Sequence, residues 1–149
     1  MEKSSSVYLK GDTLRVMVRG LTDQEHTVGG GQVFFLEATA TPQKIGVAVL
    51  EALANFKTGI PHPADSAAWR IRQKEWCKIM EVKSWNSFVK DTKSLYITTE
   101  DELATITVTP YKNKSPKEGF EEITEKSRTC TSEPEALGKA ILEAFDDCE

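Results

Sequence analysis

The sequence predicts an α/β protein of the α+β type, with a mixed, largely antiparallel sheet, packed helices and two pseudo-repeated β-β-β-α halves in one domain. A repeat is the first observation behind this prediction. TATPQKIGVAVLEAL at residues 39–53 and TSEPEALGKAILEAF at residues 131–145 share seven identical positions when Gly46 is placed on Gly138. The second observation is that β-prone runs separated by turn signals precede each copy in the same order.

The first half begins with two short β-prone runs, SVYLK and TLRVMV, joined by a Gly-Asp pair that is a strong hairpin signal. Residues 22–31, TDQEHTVGGG, are predicted to be a loop whose glycines free the backbone. QVFFLEATA follows as a third strand. A helix capped by Thr39 or Thr41 then begins at Pro42, where a missing N–H costs little, and ends near residues 59–61.

The second half repeats this order. SLYIT and LATITVTPY are its β-prone runs, followed by a loop at residues 111–120 and a polar edge strand at residues 121–130. Thr131 or Ser132 is expected to cap the last helix, with Glu135 as a capping-box partner. The order of elements therefore matches that of the first half.

Two glycines, Gly46 and Gly138, occupy matched positions inside the repeated helices. Glycine within a helix costs about 0.5–1 kcal/mol relative to alanine. We therefore expect both glycines to mark points where another strand or helix approaches closely.

A helical connector lies between the halves. HPADSAAWRIRQKEWCKIM is predicted to be a helix with Trp69 and Trp76 on its buried face, and SWNSFVKDT a short helical turn. The sequence therefore predicts a single domain over residues 1–149, made of a first half (1–60), the helical connector (61–93) and a second half (94–149).

Composition and charge narrow the class of protein. The chain is 39% hydrophobic and 28% charged, and it has neither an apolar run long enough for a membrane span nor an export signal. Its three cysteines form neither a disulfide framework nor a zinc pattern, so we expect a cytoplasmic protein without metal or cofactor. Residues 94–149 hold thirteen acidic and six basic side chains. Such an acidic region disfavours nucleic acid and favours a basic partner.

Candidate catalytic residues are few. His26 lies near Asp23 and Glu25, which is the pattern of an acid–base group and also of an ordinary surface loop. The triple glycine at residues 29–31 precedes a strand, whereas a phosphate-binding loop follows a strand and precedes a helix. The sequence therefore favours a binding protein with no catalytic residues.

Several segments resemble the immunity proteins of bacterial contact-dependent growth inhibition systems. These segments are EVKSWNSFVKDTKSLYIT, ITVTPYKNKSPKEGF, EPEALGKAILEAFDDCE and the N-terminal KIGVAVLEAL. Their marks are Ser84-Trp85 shortly before Phe88-Val89-Lys90, and Gly119-Phe120 at the end of a proline-containing loop. The resemblance implies a cytoplasmic, non-enzymatic protein that binds and neutralises a cognate toxin C-terminal domain, often a nuclease, in a 1:1 complex without nucleic acid or membrane.

The resemblance carries over no contact residue, because such proteins diverge to match their toxins. Charge alone selects the candidate toxin-binding residues, which lie in the second hairpin turn and around the Gly-Phe loop: Glu100, Asp101, Glu102, Glu118, Glu121 and Glu122. Two alternatives stay open at this point. One is a stand-alone adaptor or small-molecule-binding domain with the triple glycine in its pocket, and the other is a small enzyme that uses the His26 loop.

Overall fold

The protein is built on an eight-stranded sheet, seen in a computed structural model that describes residues 1–100 and 104–149. In these ranges the strands are β1 (Lys3–Lys10), β2 (Thr13–Thr22), β3 (Thr27–Glu37), β4 (Lys57–Ile60), β5 (Lys93–Thr99), β6 (Thr105–Ser115), β7 (Gly119–Glu122) and β8 (Arg128–Thr131). The order across the sheet is β3-β2-β1-β5-β6-β7, with β4 beside β2 and β8 beside β6. Because β4 alone of these runs parallel to its partner, the predicted mixed, largely antiparallel sheet is confirmed.

Helices cover both faces of the sheet. They are α1 (Pro42–Ala54), α2 (Ser66–Met80), α3 (Trp85–Val89) and α4 (Pro134–Asp146). Successive strand residues point to opposite faces, so Val7 packs under α1 and α4, whereas Tyr8 packs under α2 and α3. The first core is aliphatic and takes side chains from both halves of the chain. The second core is smaller and largely aromatic.

The two halves are related by a pseudo-twofold axis at the centre of the sheet. Strands β1 and β5 pair antiparallel over seven positions, and the middle position is Ser6 opposite Tyr96. On either side, β2 corresponds to β6 and α1 to α4, and each of these helices has 13 residues and begins with proline. Strands β7 and β8 together take the position of β3. The predicted β-β-β-α order is therefore present when β7 and β8 are counted as one strand. The prediction that α1 ends near residues 59–61 is wrong, because α1 ends at Ala54 and residues 57–60 pair with β2 as the unpredicted strand β4.

Helices α1 and α4 cross at the repeated glycines. A Cβ built on Gly46 would lie 1.8 Å from the carbonyl oxygen of Pro134, and one on Gly138 would lie 1.9 Å from that of Pro42. Each glycine Cα–H thus faces the first carbonyl of the opposite helix, which is the arrangement of a weak Cα–H···O contact. The expectation of close packing at both glycines is confirmed, and the contact is reciprocal.

The triple glycine lies in a strand, so the predicted loop at residues 22–31 is wrong beyond residue 26. Strand β3 begins at Thr27, and its register with β2 shifts between Met17 and Arg19. A Cβ on Gly30 would lie 2.9 Å from Val18 Cγ1 and 3.0 Å from the Arg19 carbonyl oxygen. Glycine is weak in strands by propensity, but here the close approach of β2 requires it.

The second half differs from its prediction in detail. Strand β6 continues through the predicted loop to Ser115, and the predicted edge strand is divided into β7 and β8 by a 3-10 turn at Thr124–Lys126. Thr41 caps α1 as expected, accepting a hydrogen bond from the Lys44 amide at 3.3 Å. Neither Thr131 nor Ser132 is the N-cap of α4, since that residue is Glu133, whose own side chain accepts no capping hydrogen bond; Thr131 Oγ1 accepts from the Glu133 amide at 3.5 Å.

The connector differs in the exposure of its aromatic residues. Trp76 packs against the second core as predicted, whereas Trp69 is 40% exposed. The reason is that Trp69 lies near the N-terminal end of α2, whereas the buried residue of this helix, Met80, is at its C-terminal end.

We expect Gly46→Ala to lower the free energy of unfolding by about 3 kcal/mol, because the added methyl forces the two helix backbones apart. Helix propensity alone would raise it by about 0.5–1 kcal/mol, so the sign of the change distinguishes the two effects. Urea denaturation followed by circular dichroism measures it. Val47→Ala, at a position 46% exposed on the same helix, is the matched control and should change little. Equal or increased stability of Gly46→Ala would contradict the crossing.

Candidate functional site

The structure separates the acidic candidate residues into two groups. Glu100 is exposed at the end of β5, and Asp101 and Glu102 lie outside the described residues. Glu118 is in the turn that joins β6 to β7, while Glu121 and Glu122 are on β7 itself. Because β6 has 11 residues, Glu100 and the hairpin glutamates lie at opposite ends of a strand about 33 Å long. Only the three glutamates of the β6–β7 hairpin are brought together.

The β6–β7 hairpin is balanced in charge. Residues 111–122 contain three lysines and three glutamates, and Lys114 Nζ lies 3.0 Å from Glu121 Oε2. The hydrogen bond to Glu121 raises the pKa of Lys114. The acidic excess of the second half lies instead in residues 133–149, which contain six acidic side chains and one lysine. The charge count over residues 94–149 combined the hairpin with residues 133–149, so it did not show that the acidic excess lies in the latter.

Aromatic contacts hold the hairpin against the face of the sheet that α3 covers. The Trp85 indole N–H donates to the Pro116 carbonyl at 3.2 Å. The Phe120 ring lies 6.2 Å from that of Trp85, 6.0 Å from that of Tyr111 and 6.3 Å from that of Tyr8. The glutamates of the hairpin are therefore presented from a fixed support. Sequence reasoning identified the Gly-Phe pair but not this role of Phe120.

Part of this sheet face has no helix above it. The second core takes its residues from β1, β2, β3, β7, α2 and α3, and its members include none from β5 or β6. Those two strands present hydroxyl and aromatic side chains that are half-buried: Tyr96, Thr98, Thr107 and Tyr111. We call these four residues, with Arg19 of β2, the open sheet face. No sequence signal identified this surface, because its strands alternate like any half-buried strand.

A cavity of about 250 Å³ lies between β3 and α2. The three glycines of β3 form part of its wall, together with apolar and charged side chains that include Met17, Val33, Lys57, Arg72 and Trp76. The Trp76 indole nitrogen lies 3.0 Å from Met17 Sδ, and the Arg72 guanidinium donates to the Gly29 carbonyl. The glycines thus contribute backbone to a pocket, as one of the alternative hypotheses requires.

The His26 loop forms an exposed aromatic cluster. The rings of His26 and His62 are 4.7 Å apart, and that of Trp69 lies 5.5 Å from His62. Thr22 Oγ1 lies 3.0 Å from His62 Nδ1, and Asp23 accepts a hydrogen bond from the His62 amide at 3.3 Å. Sequence reasoning considered His26 only with Asp23 and Glu25 and missed its pairing with His62.

Metal-binding and membrane-spanning features are not found in the described ranges. No group of three or more His, Cys, Asp or Glu side chains in residues 1–100 and 104–149 is arranged to hold a metal ion. Within the same ranges, no helix has the length and hydrophobicity required to cross a bilayer.

The three cysteines are unpaired thiols with little tendency to ionise. Burial raises the pKa of Cys77, Cys130 and Cys148, and Cys148 Sγ donates to the Ser94 carbonyl at 3.4 Å. A nucleophilic cysteine needs a lowered pKa. These thiols have the opposite shift, which disfavours a nucleophilic role.

Comparisons with known proteins agree with this fold. A family model described as CDI immunity protein matches residues 12–148. A CdiA-CT/CdiI toxin and immunity complex from Yersinia pseudotuberculosis contains a chain similar in structure, with a TM-score of 0.80 and 18% identity over 100% of this chain and 98% of that one. A protein of unknown function from Neisseria meningitidis has a TM-score of 0.83 and 17% identity, over 100% and 96%. At these identities the likeness confirms the α+β fold. No curated protein matches the sequence.

We expect all three thiols to react slowly with a thiol reagent in the folded protein at pH 7.5, at least about tenfold more slowly than in urea. Their raised pKa values reduce the thiolate fraction below that of an ordinary cysteine, so the rate should keep rising above pH 9. Mass spectrometry of the labelled protein identifies each site. Rapid labelling of one cysteine would indicate a reactive thiolate and would make that cysteine a candidate nucleophile again.

Proposed function

Because the chain belongs to the family of CDI immunity proteins, we propose that it binds the toxic C-terminal domain of a contact-dependent growth inhibition effector and neutralises it. The family match over residues 12–148 is the observation that carries this proposal. The likeness in fold to a chain of a toxin and immunity complex supports it.

The protein acts by stoichiometric binding in the cytoplasm of the cell that it protects, as one copy per toxin. Its thiols have raised pKa values, and the hydroxyl beside the paired histidines, that of Thr22, accepts hydrogen bonds from the Gln24 and His26 amides as part of the turn. These features support inhibition by contact rather than by catalysis.

The toxin is proposed to be a nuclease, whose substrate groove must be basic to hold nucleic acid. The acidic residues of α4 and the C-terminus supply a complementary field that steers such a partner and speeds its association. The proposed contacts are the acidic residues that the sequence selected: Glu100, Asp101, Glu102, Glu118, Glu121 and Glu122. The hairpin members of this set lie on a rigid support, which favours them as contacts.

The whole chain, residues 1–149, is proposed to be one cooperative domain. Helices from the two halves interlock at Gly46 and Gly138, and the aliphatic core takes side chains from both halves. Urea unfolding should accordingly proceed in one transition.

A second candidate function, the binding of a small molecule, is favoured by the cavity between β3 and α2. Its backbone glycines and its Trp76 wall are typical of a ligand pocket, although its volume lies below the usual range of about 300–1,000 Å³. A rise in the melting temperature with a metabolite library, in the absence of any toxin, would support this function instead.

We expect cells that express the C-terminal domain encoded immediately upstream to survive when this chain is co-expressed, and the two proteins to co-purify at 1:1. Survival follows if inhibition is stoichiometric, and colony counts measure it. His26→Ala should protect equally well, since the His26 loop has no part in binding. Loss of protection in a folded His26→Ala protein would favour the enzyme hypothesis, and failure of the unsubstituted chain to protect would contradict the proposed function.

We expect the combined change Glu118→Gln, Glu121→Gln and Glu122→Gln to slow association with that toxin domain about tenfold at low salt. The control set Glu2→Gln, Glu37→Gln and Glu51→Gln changes the net charge equally at exposed positions of the first half. Stopped-flow kinetics at low and high salt compares them, and the difference should disappear at about 0.5 M salt. Equal slowing by both sets would assign the effect to overall charge instead of to the hairpin.

A further inference from the structure

The guanidinium of Arg19 lies on the open sheet face without a counter-charge. Its Nη1 donates to Ser6 Oγ at 3.1 Å, and its carbon Cζ lies 5.9 Å from the centre of the Tyr96 ring. Its Nε is buried and has no hydrogen-bond acceptor. Among residues 1–100 and 104–149, no carboxylate forms an ion pair with it.

Two other arginines show which partners the guanidinium of a structural arginine has in this protein. Arg15, on the same strand and the same sheet face, donates from Nε to the Met80 carbonyl at 2.8 Å. Arg128 also has a buried Nε without an acceptor, but its terminal nitrogens pair with Glu143 and Asp147. In the part of the chain that the structure describes, Arg19 has neither a carbonyl at Nε nor a carboxylate at its terminal nitrogens. Its charge is therefore held in place but not neutralised.

Two tyrosines lie near the Arg19 guanidinium on the open sheet face. Tyr96 and Tyr111 lie 6.3 Å apart between ring centres, and both are half-buried. Burial raises the pKa of Tyr111 most, Glu122 raises it further, and Arg19 acts in the opposite direction. The positive field of Arg19 thus reaches across the open sheet face to the tyrosine beside the β6–β7 hairpin.

We infer that Arg19 is an anchor on the open sheet face for a carboxylate side chain of the partner, and this inference rests on the proposed function. A carboxylate supplies the acceptors that the guanidinium lacks and can bind it through two hydrogen bonds. Arginine and tyrosine are enriched among the few interface residues that dominate binding energy. The hairpin glutamates border this surface, so one partner can meet them at the rim and Arg19 at the centre.

The test uses the full chain and the toxin domain encoded immediately upstream. Arg19→Met should weaken binding about 100-fold, mainly through faster dissociation, because it leaves the partner's carboxylate buried and unpaired. Arg19→Lys keeps the charge but loses the two-pronged geometry, so it should weaken binding less. The matched control Arg70→Gln removes one positive charge from an exposed position on α2 and should leave the dissociation rate within about twofold.

The stability of the free protein separates this role from a structural one. An unpaired, partly buried charge does not stabilise the fold, so Arg19→Met should unfold at the same urea concentration as the unsubstituted chain or at a higher one. A double-mutant cycle against each Asp and Glu of the toxin should reveal one carboxylate whose loss is not additive with Arg19→Met.

The possible failures can be told apart. If the unsubstituted chain does not bind the toxin domain, both the inference and the proposed function fall. If that chain binds and Arg19→Met binds equally well, only the inference falls. Misfolding of Arg19→Met would likewise overturn it, because the side chain would then be structural.

Discussion

The crossing of α1 and α4 at Gly46 and Gly138 is the constraint on which the rest of the structure depends. Each glycine accommodates the first carbonyl of the opposite helix at a distance that no side chain permits. This contact brings both helices close enough to seal one face of the sheet with aliphatic side chains from each half. Because the contact is reciprocal, it also fixes the pseudo-twofold axis, which passes through the Ser6–Tyr96 pair in the middle of the sheet.

The opposite face of the sheet is not symmetric, because the helical connector with α2 and α3 occurs once in the chain and is not repeated. Helices α2 and α3 pack over β1, β2 and β3, and the pseudo-equivalent strands of the second half have no copy of them. The strands and the helices α1 and α4 are duplicated, but α2 and α3 are not. Half of one sheet face is therefore uncovered. The β6–β7 hairpin borders this surface, held by Trp85 and Phe120. The asymmetry leaves the proposed binding surface open without disturbing the aliphatic core.

Sequence reasoning predicted the features that depend on local signals. The repeat predicted the two halves, and the helix glycines predicted a close approach by a strand or a helix, which is the α1–α4 crossing. Of the two predicted caps, Thr39 and Thr41, it is Thr41 that caps α1. It failed where tertiary contacts override propensity, as at Gly30, which lies in a strand because β2 approaches it closely. Of the candidate contact residues, only the hairpin glutamates come together. Arg19 went unnoticed because its lack of a partner is a property of three-dimensional neighbours.

This arrangement separates the residues that hold the fold from those proposed to bind. The hairpin glutamates are exposed, and Arg19 makes one side-chain hydrogen bond, so changes there cost the core little. Substitutions at the helix crossing, by contrast, displace backbone and strain both halves together. A protein that must match a changing partner needs such a division, since its recognition surface can then vary while its stability persists. Arg19, which has no counter-charge among the described residues, fits the same logic: under the proposed function it gives up stability in the free protein, and the carboxylate proposed for the partner restores that stability in the complex.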